Sequence, residues 1–201
     1  MAVDRTKLWP DADRYISYGI VSGVELCRLK RPDESLIPHT FVVCEGGVIT
    51  ARHVFDIELG ERGLAIHGFT YRRDIYPDVM FMRDPECHGL PVGVIPRQIV
   101  EGVEIIIGDM DRPNEFTAFR GTLFPEPGYS DLANVIPEDP AFYTLCKEGA
   151  SGSPVLYRNH VIGTYSCVDP EDNFVGIVTF AGIYMRIIMR QLGIPFREID
   201  I

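Results

Sequence analysis

The sequence predicts an all-β fold, a barrel or sandwich of many short strands followed by one late helix. Short apolar stretches recur at modest spacing along the 201 residues, separated by Gly, Pro, Asp and Asn. The 19 glycines and 15 prolines slightly exceed average usage, as a turn-rich fold requires. The period changes only near the end. There Ile183, Ile187, Ile188 and Leu192 fall at i, i+4, i+5 and i+9, with Arg186, Arg190 and Gln191 between them. That spacing predicts an amphipathic helix ending at Gly193, with Pro195 just beyond it.

In chain order, a first set of strands is expected at 16–28, 39–44, 47–51, 62–72, 78–83 and 90–95. A second set is expected at 102–108, 115–124, 141–145, 153–158, 160–167 and 173–181. Glu45-Gly46-Gly47 and Arg158-Asn159-His160 read as hairpin turns, because Gly and Asn accept positive φ. The connection between the sets is placed at 95–102, with its Pro96. The length suits one domain, or one unit built from two small barrels sharing an interface.

Composition excludes several function classes. With 46% hydrophobic and 24% charged residues the chain has enough apolar side chains for a core, and its apolar runs are too short to span a bilayer. The formal charge of −10 argues against nucleic acid, whose phosphates require a basic face. Cys27, Cys44, Cys87, Cys146 and Cys167 are odd in number and lack metal-ligand spacing, so reduced thiols are expected. His39, His67, His88 and His160 are scattered without metal spacing either. Cys87-His88 lacks the glycine turn and oxyanion partner that a cysteine nucleophile needs. The polar N-terminus, without a signal-peptide core, predicts a cytoplasmic protein.

Two segments carry chemistry. Gly149-Ala150-Ser151-Gly152-Ser153-Pro154 places a serine on a glycine-flanked turn, where the N–H groups of Gly149 and Ser151 can point at one spot. Such a pair stabilises the oxyanion of a tetrahedral intermediate. Pro154 then starts a strand. A serine hydroxyl is a weak nucleophile at neutral pH and needs a base. His53, after the apolar hairpin that ends in Ile49-Thr50-Ala51, is the candidate. Taken singly, the hexapeptide also fits an ordinary turn and His53 a packed core histidine.

Together the segments resemble the chymotrypsin/trypsin-like serine peptidases, in the broad sense that includes viral and HtrA-like members. The resemblance rests on Thr50-Ala51-Arg52-His53, on Asp78-Val79-Met80-Phe81-Met82 and on 149–154, in the family's order, and spans about residues 16–193. For the acid that orients His53, Asp78 begins a strand-like alternation. Asp74 competes but is cut off from that alternation by Pro77, and Asp56 falls in the turn after His53. The resemblance implies two six-stranded antiparallel β-barrels, chymotrypsin-like, plus the C-terminal helix. Residues 1–97 would carry His53 and Asp78, and residues 98–201 would carry Ser151.

It further implies a serine endopeptidase acting through His53, Asp78 and Ser151, with Gly149 and Ser151 as the oxyanion hole. Ser166 would back the acid, and Ser166, Cys167 and Val168 would bind a polypeptide substrate as an added strand. Ala181 and Gly182 would form the far wall of the specificity pocket, with Leu145 and Cys146 at its base. A leucine there favours an apolar or small residue at the cleavage position. The pocket segments contain no histidine, which viral relatives selecting Gln or Glu place there.

Two departures are informative. Ala150 stands where secreted zymogens keep an acid for the freed N-terminus, and Val54 stands where the family has a half-cystine. Both point to a protease active as made, in a reducing compartment (host cytoplasm if viral). No cofactor, metal, nucleic acid or membrane is expected. Viral polyprotein processing and intracellular regulated proteolysis both fit. The alternative is a catalytically silent trypsin-fold binding or scaffold module. An esterase of the α/β-hydrolase kind is opposed by the order His, Asp, Ser.

Overall fold

The computed structural model describes residues 15–21, 23–30, 36–51, 80–83, 87–108, 115–126, 132–145, 151–169, 174–179, 186–187, 189–191 and 193–201. They form a mostly β protein of two antiparallel-dominated sheets. The first sheet has the strand order β1-β2-β3-β4-β5, with β1 Tyr15–Val21, β2 Val24–Lys30, β3 Leu36–Cys44, β4 Gly47–Thr50 and β5 Met80–Arg83. The expected single strand at 16–28 is in fact a hairpin. It reverses at Gly23, whose φ of +82° is open to glycine and strained for other residues. The expected strand at 62–72 lies outside the described residues.

The second sheet runs β10-β7-β8-β9-β12-β11-β6-β13. Its members are β6 Val92–Val94, β7 Val100–Gly108, β8 Phe116–Pro125, β9 Leu132–Pro137, β10 Pro154–Tyr157, β11 His160–Asp169, β12 Phe174–Thr179 and β13 Phe196–Glu198. β10 pairs with both β7 and β11, so each of the six strands β10-β7-β8-β9-β12-β11 has a neighbour on both sides. β6, expected in the first set, instead pairs in parallel with β11 and β13.

Two elements depart from the sequence reading. Residues 141–145, expected as a strand, form a short helix, α1 Ala141–Leu145. The Asp139 carboxylate accepts the Ala141 N–H at 2.9 Å, and Pro140 presets the helical φ at the first position. These caps override the β preference of Phe142 and Tyr143. β9 and β13 were not expected at all.

Both hairpin turns form where expected. Glu45-Gly46 joins β3 to β4, with Gly46 at φ +87°, and Arg158-Asn159 joins β10 to β11, with both residues at positive φ as a type I′ turn requires. The late helix also forms, described at 186–187 and 189–191. It ends in paired bonds, Gly193 N–H to the Arg190 carbonyl and Ile194 N–H to the Met189 carbonyl, with Gly193 left-handed. Of the expected apolar face Ile183, Ile188 and Leu192 lie outside the described residues; Ile187 is 43% exposed, and Met189 is fully buried.

The apolar interior follows the strand pattern. In the second sheet Val103, Ile105, Ile107, Phe119, Val135, Phe142 and Val155 share one cluster, with the Phe142 ring edge-on to Phe119 at 5.3 Å. In the first sheet burial does not alternate. Phe41 to Cys44 and Val48 to Ala51 are buried without a break. Unbroken burial means that both faces of β3 and β4 are covered. At Thr40 the segment that carries Ser151 is bonded to the backbone of β3.

Candidate active site

Ser151 opens a turn that is held by two strands, one from each sheet. The Thr40 N–H of β3 donates to the Ser151 carbonyl at 3.1 Å. The Gly152 N–H donates to the Tyr165 carbonyl of β11 at 3.0 Å, and the Tyr165 N–H donates to the Ser153 carbonyl at 2.8 Å. The Ser151-Gly152 peptide group is thus fixed from both sides, its C=O by β3 and its N–H by β11. Gly152 has φ +89°, and a Cβ there would collide with the Thr40 carbonyl oxygen and fall 2.7 Å from the Thr50 hydroxyl of β4. Only glycine lets the turn lie this close to the strand ends.

Beneath the turn the Thr50 hydroxyl donates to the Thr40 carbonyl at 3.0 Å. Thr50 also pairs with Met80, the first residue of β5. Thr40, Thr50, Ala51, Ser151 and Ser153 are all buried. Thr40 carried no sequence signal, and Thr50 was legible only as part of the motif before His53.

Of the expected site residues, Ser151 is placed as just described. Ser166, Cys167 and Val168 lie on β11, directly after Tyr165. The register slips there: Tyr165 pairs with Ile177 and Cys167 with Gly176, leaving Ser166 as the bulged residue. A bulge of this kind re-aims the strand next to the turn. Leu145 is the last residue of α1. His53, Asp78, Gly149, Cys146, Ala181 and Gly182 lie outside the described residues.

Among the described residues no group of His, Cys, Asp and Glu is arranged to hold a metal ion. Cys44 is buried, and that burial, with Cys87 nearby, pushes its thiol far above the ordinary range. It is a packing thiol rather than a nucleophile. No described helix is long and apolar enough to cross a membrane.

The architecture is that of the chymotrypsin-like proteases. An inactivated protease paralogue of the scabies mite is 12% identical over 84% of this chain and 92% of its own, with a TM-score of 0.58. The tobacco etch virus protease, solved with its product, is 14% identical over 86% of this chain and 79% of its own, at 0.50. The Rv3671c protease in an inactive form is 18% identical over 77% and 84%, also at 0.50. No protein-family model and no curated protein matches the chain. Identities this low establish a shared fold and nothing finer.

Proposed function

We propose that this chain is a serine endopeptidase, acting through Ser151, His53 and Asp78 on two six-stranded barrels divided near residue 97. One observation carries the reading: the Ser151-Gly152 turn rests on Thr50, three residues before His53, and Thr50 pairs with Met80, two residues after Asp78. Three residues of chain reach at most about 10 Å, a length that supports a base and an acid within range of the nucleophile. This juxtaposition joins three segments that are far apart in sequence.

In the proposed reaction His53 takes the proton of the Ser151 hydroxyl as its oxygen attacks the substrate carbonyl. Asp78 holds the imidazole tautomer and stabilises the imidazolium. The Gly149 and Ser151 amides receive the oxyanion. The peptide C–N bond then breaks, with His53 returning the proton to the leaving amine. Water, deprotonated by the same imidazole, releases the acyl group and restores Ser151. The polypeptide lies as a strand along Ser166, Cys167 and Val168, with Leu145, Cys146, Ala181 and Gly182 forming an apolar pocket. With Ala150 in place of an acid, no liberated N-terminus is needed, and the enzyme works as made in the cytoplasm.

A fluorophosphonate probe tests this directly. The wild type is expected to label at Ser151, and Ser151→Ala and His53→Ala to abolish labelling while the fold persists. A folded wild type that does not label would leave a trypsin-fold binding module.

A further inference from the structure

We propose that Thr50 is a positioning residue of this site, an inference that rests on the triad reading above. Thr40, Thr50 and Thr164 lie on β3, β4 and β11, and their hydroxyls differ. Thr40 and Thr164 are fully buried with hydroxyl oxygens that have no partner. Thr50 is equally buried, but its hydroxyl donates to the Thr40 carbonyl at 3.0 Å.

That carbonyl is the atom against which Gly152 closes, and the N–H of the same residue holds the Ser151 carbonyl at 3.1 Å. The Thr50 hydroxyl itself lies under Gly152. One side chain therefore links the end of β4, the backbone of β3 and the nucleophile turn. The backbone of Thr50, paired with Met80, also fixes the entry to β5. Removing the hydroxyl leaves the carbonyl without this donor and lets the strand that leads to His53 shift relative to Ser151. The proton chemistry belongs to His53 and Asp78, and Thr50 acts through the Thr40 carbonyl. What changes is the spacing of nucleophile and base.

A misplacement of about 1 Å in such a constellation costs on the order of 100-fold in rate. Thr50→Val keeps the shape and removes the donor. Its fluorophosphonate labelling rate, counted per folded molecule, is expected to fall by about 10- to 100-fold. The pH at which labelling is half-maximal should stay where it is in the wild type. Thr50→Ser, which retains the hydroxyl, is expected to restore the rate to within about threefold of wild type.

A folded Thr50→Val that labels at the wild-type rate, even with a lowered Tm, overturns the inference, because the residue is then structural only. So does a Thr50→Ser that folds and is as slow as Ser151-independent background. That second variant decides the matter if Thr50→Val does not fold. If the folded wild type shows no Ser151-dependent labelling, the triad reading fails first and takes this inference with it, an outcome distinct from the other two.

Discussion

At the scale of single residues, the seam between the sheets shows how unevenly buried polar groups are treated. A buried hydroxyl without a partner costs about 1–3 kcal/mol relative to one that is satisfied. Thr164 is such a group: it pairs with Pro154 across β10 and β11, is fully buried, and its Oγ1 has no partner. Valine has the same shape and nothing to satisfy. Thr164→Val is therefore expected to stabilise the protein by about 1 kcal/mol, read as a higher urea midpoint at unchanged slope. Thr50→Val, chemically the same change ten residues after Thr40, is expected to do the opposite, because there the hydroxyl has work to do. A lowered midpoint for Thr164→Val would mean that its hydroxyl serves a partner.

Among the elements, the C-terminal ones are held by a contact with a defined pH dependence. Arg186, in the late helix, donates its Nε–H to the Glu198 carboxylate of β13 at 2.6 Å, and the Arg190 guanidinium lies over the Phe196 ring at 5.6 Å. The bond from Arg186, its charge and the charge of Arg190 hold the Glu198 carboxyl below its ordinary value of 4.5. A carboxyl lowered in the folded state adds stability that is present above its unfolded pKa and is lost as the pH falls through the folded one. The attachment of β13 is therefore expected to loosen below about pH 4.5. The Ile199 N–H, bonded to the Val94 carbonyl at 2.9 Å, reports it. Its exchange should speed up on acidification relative to the Ile105 amide, and Glu198→Gln should remove that difference. Since Glu198 is 58% exposed, the effect is small and fades with salt.

The same elements show what could be read beforehand. The two hairpins at Gly46 and Asn159 and the stop at Gly193 were legible because positive φ leaves a mark on residue type. The split at Gly23 was missed because apolar residues flank it and mimic one long strand. Residues 141–145 misled because Phe142 and Tyr143 favour strands, while the decisive cap lies just outside, at Asp139-Pro140. β9 and β13 escaped because Asn134, Pro137, Arg197 and Glu198 are poor strand formers whose pairing comes from neighbours distant in sequence. At the site, Ser151 and Gly152 were legible for the same φ reason. Thr40 was not, because its part is played by backbone groups, which no residue type announces.

Across the whole molecule, β3 behaves as a bar clamped at its middle and at its C-terminal end. At the middle Thr40 holds the Ser151 turn of the second sheet. At the end, Cys44 bridges Leu90, the Glu45 N–H donates to the Leu90 carbonyl at 3.0 Å, and the Gly46 N–H donates to the Cys87 carbonyl at 3.1 Å. Pro195, from the C-terminal segment, lies so close over Gly46 that a Cβ there would fall 2.6 Å from its ring. Four residues further on, Ile199 enters the core of the second sheet. Loosening that core should therefore be felt in the first sheet. Truncating a buried isoleucine to alanine costs about 2–5 kcal/mol. Ile199→Ala is expected to lower by the same amount the opening free energy read at two sites: exchange of the Ile105 amide in the second sheet, and alkylation of Cys44 in the first. Cys44 suits this use because burial keeps its thiol protonated and inaccessible until the sheet opens. Equal shifts identify one cooperative unit. If alkylation of Cys44 stays at the wild-type rate while the Ile105 amide loses protection, the sheets open separately, and a nucleophile turn gripped by both would have no fixed frame to hold it.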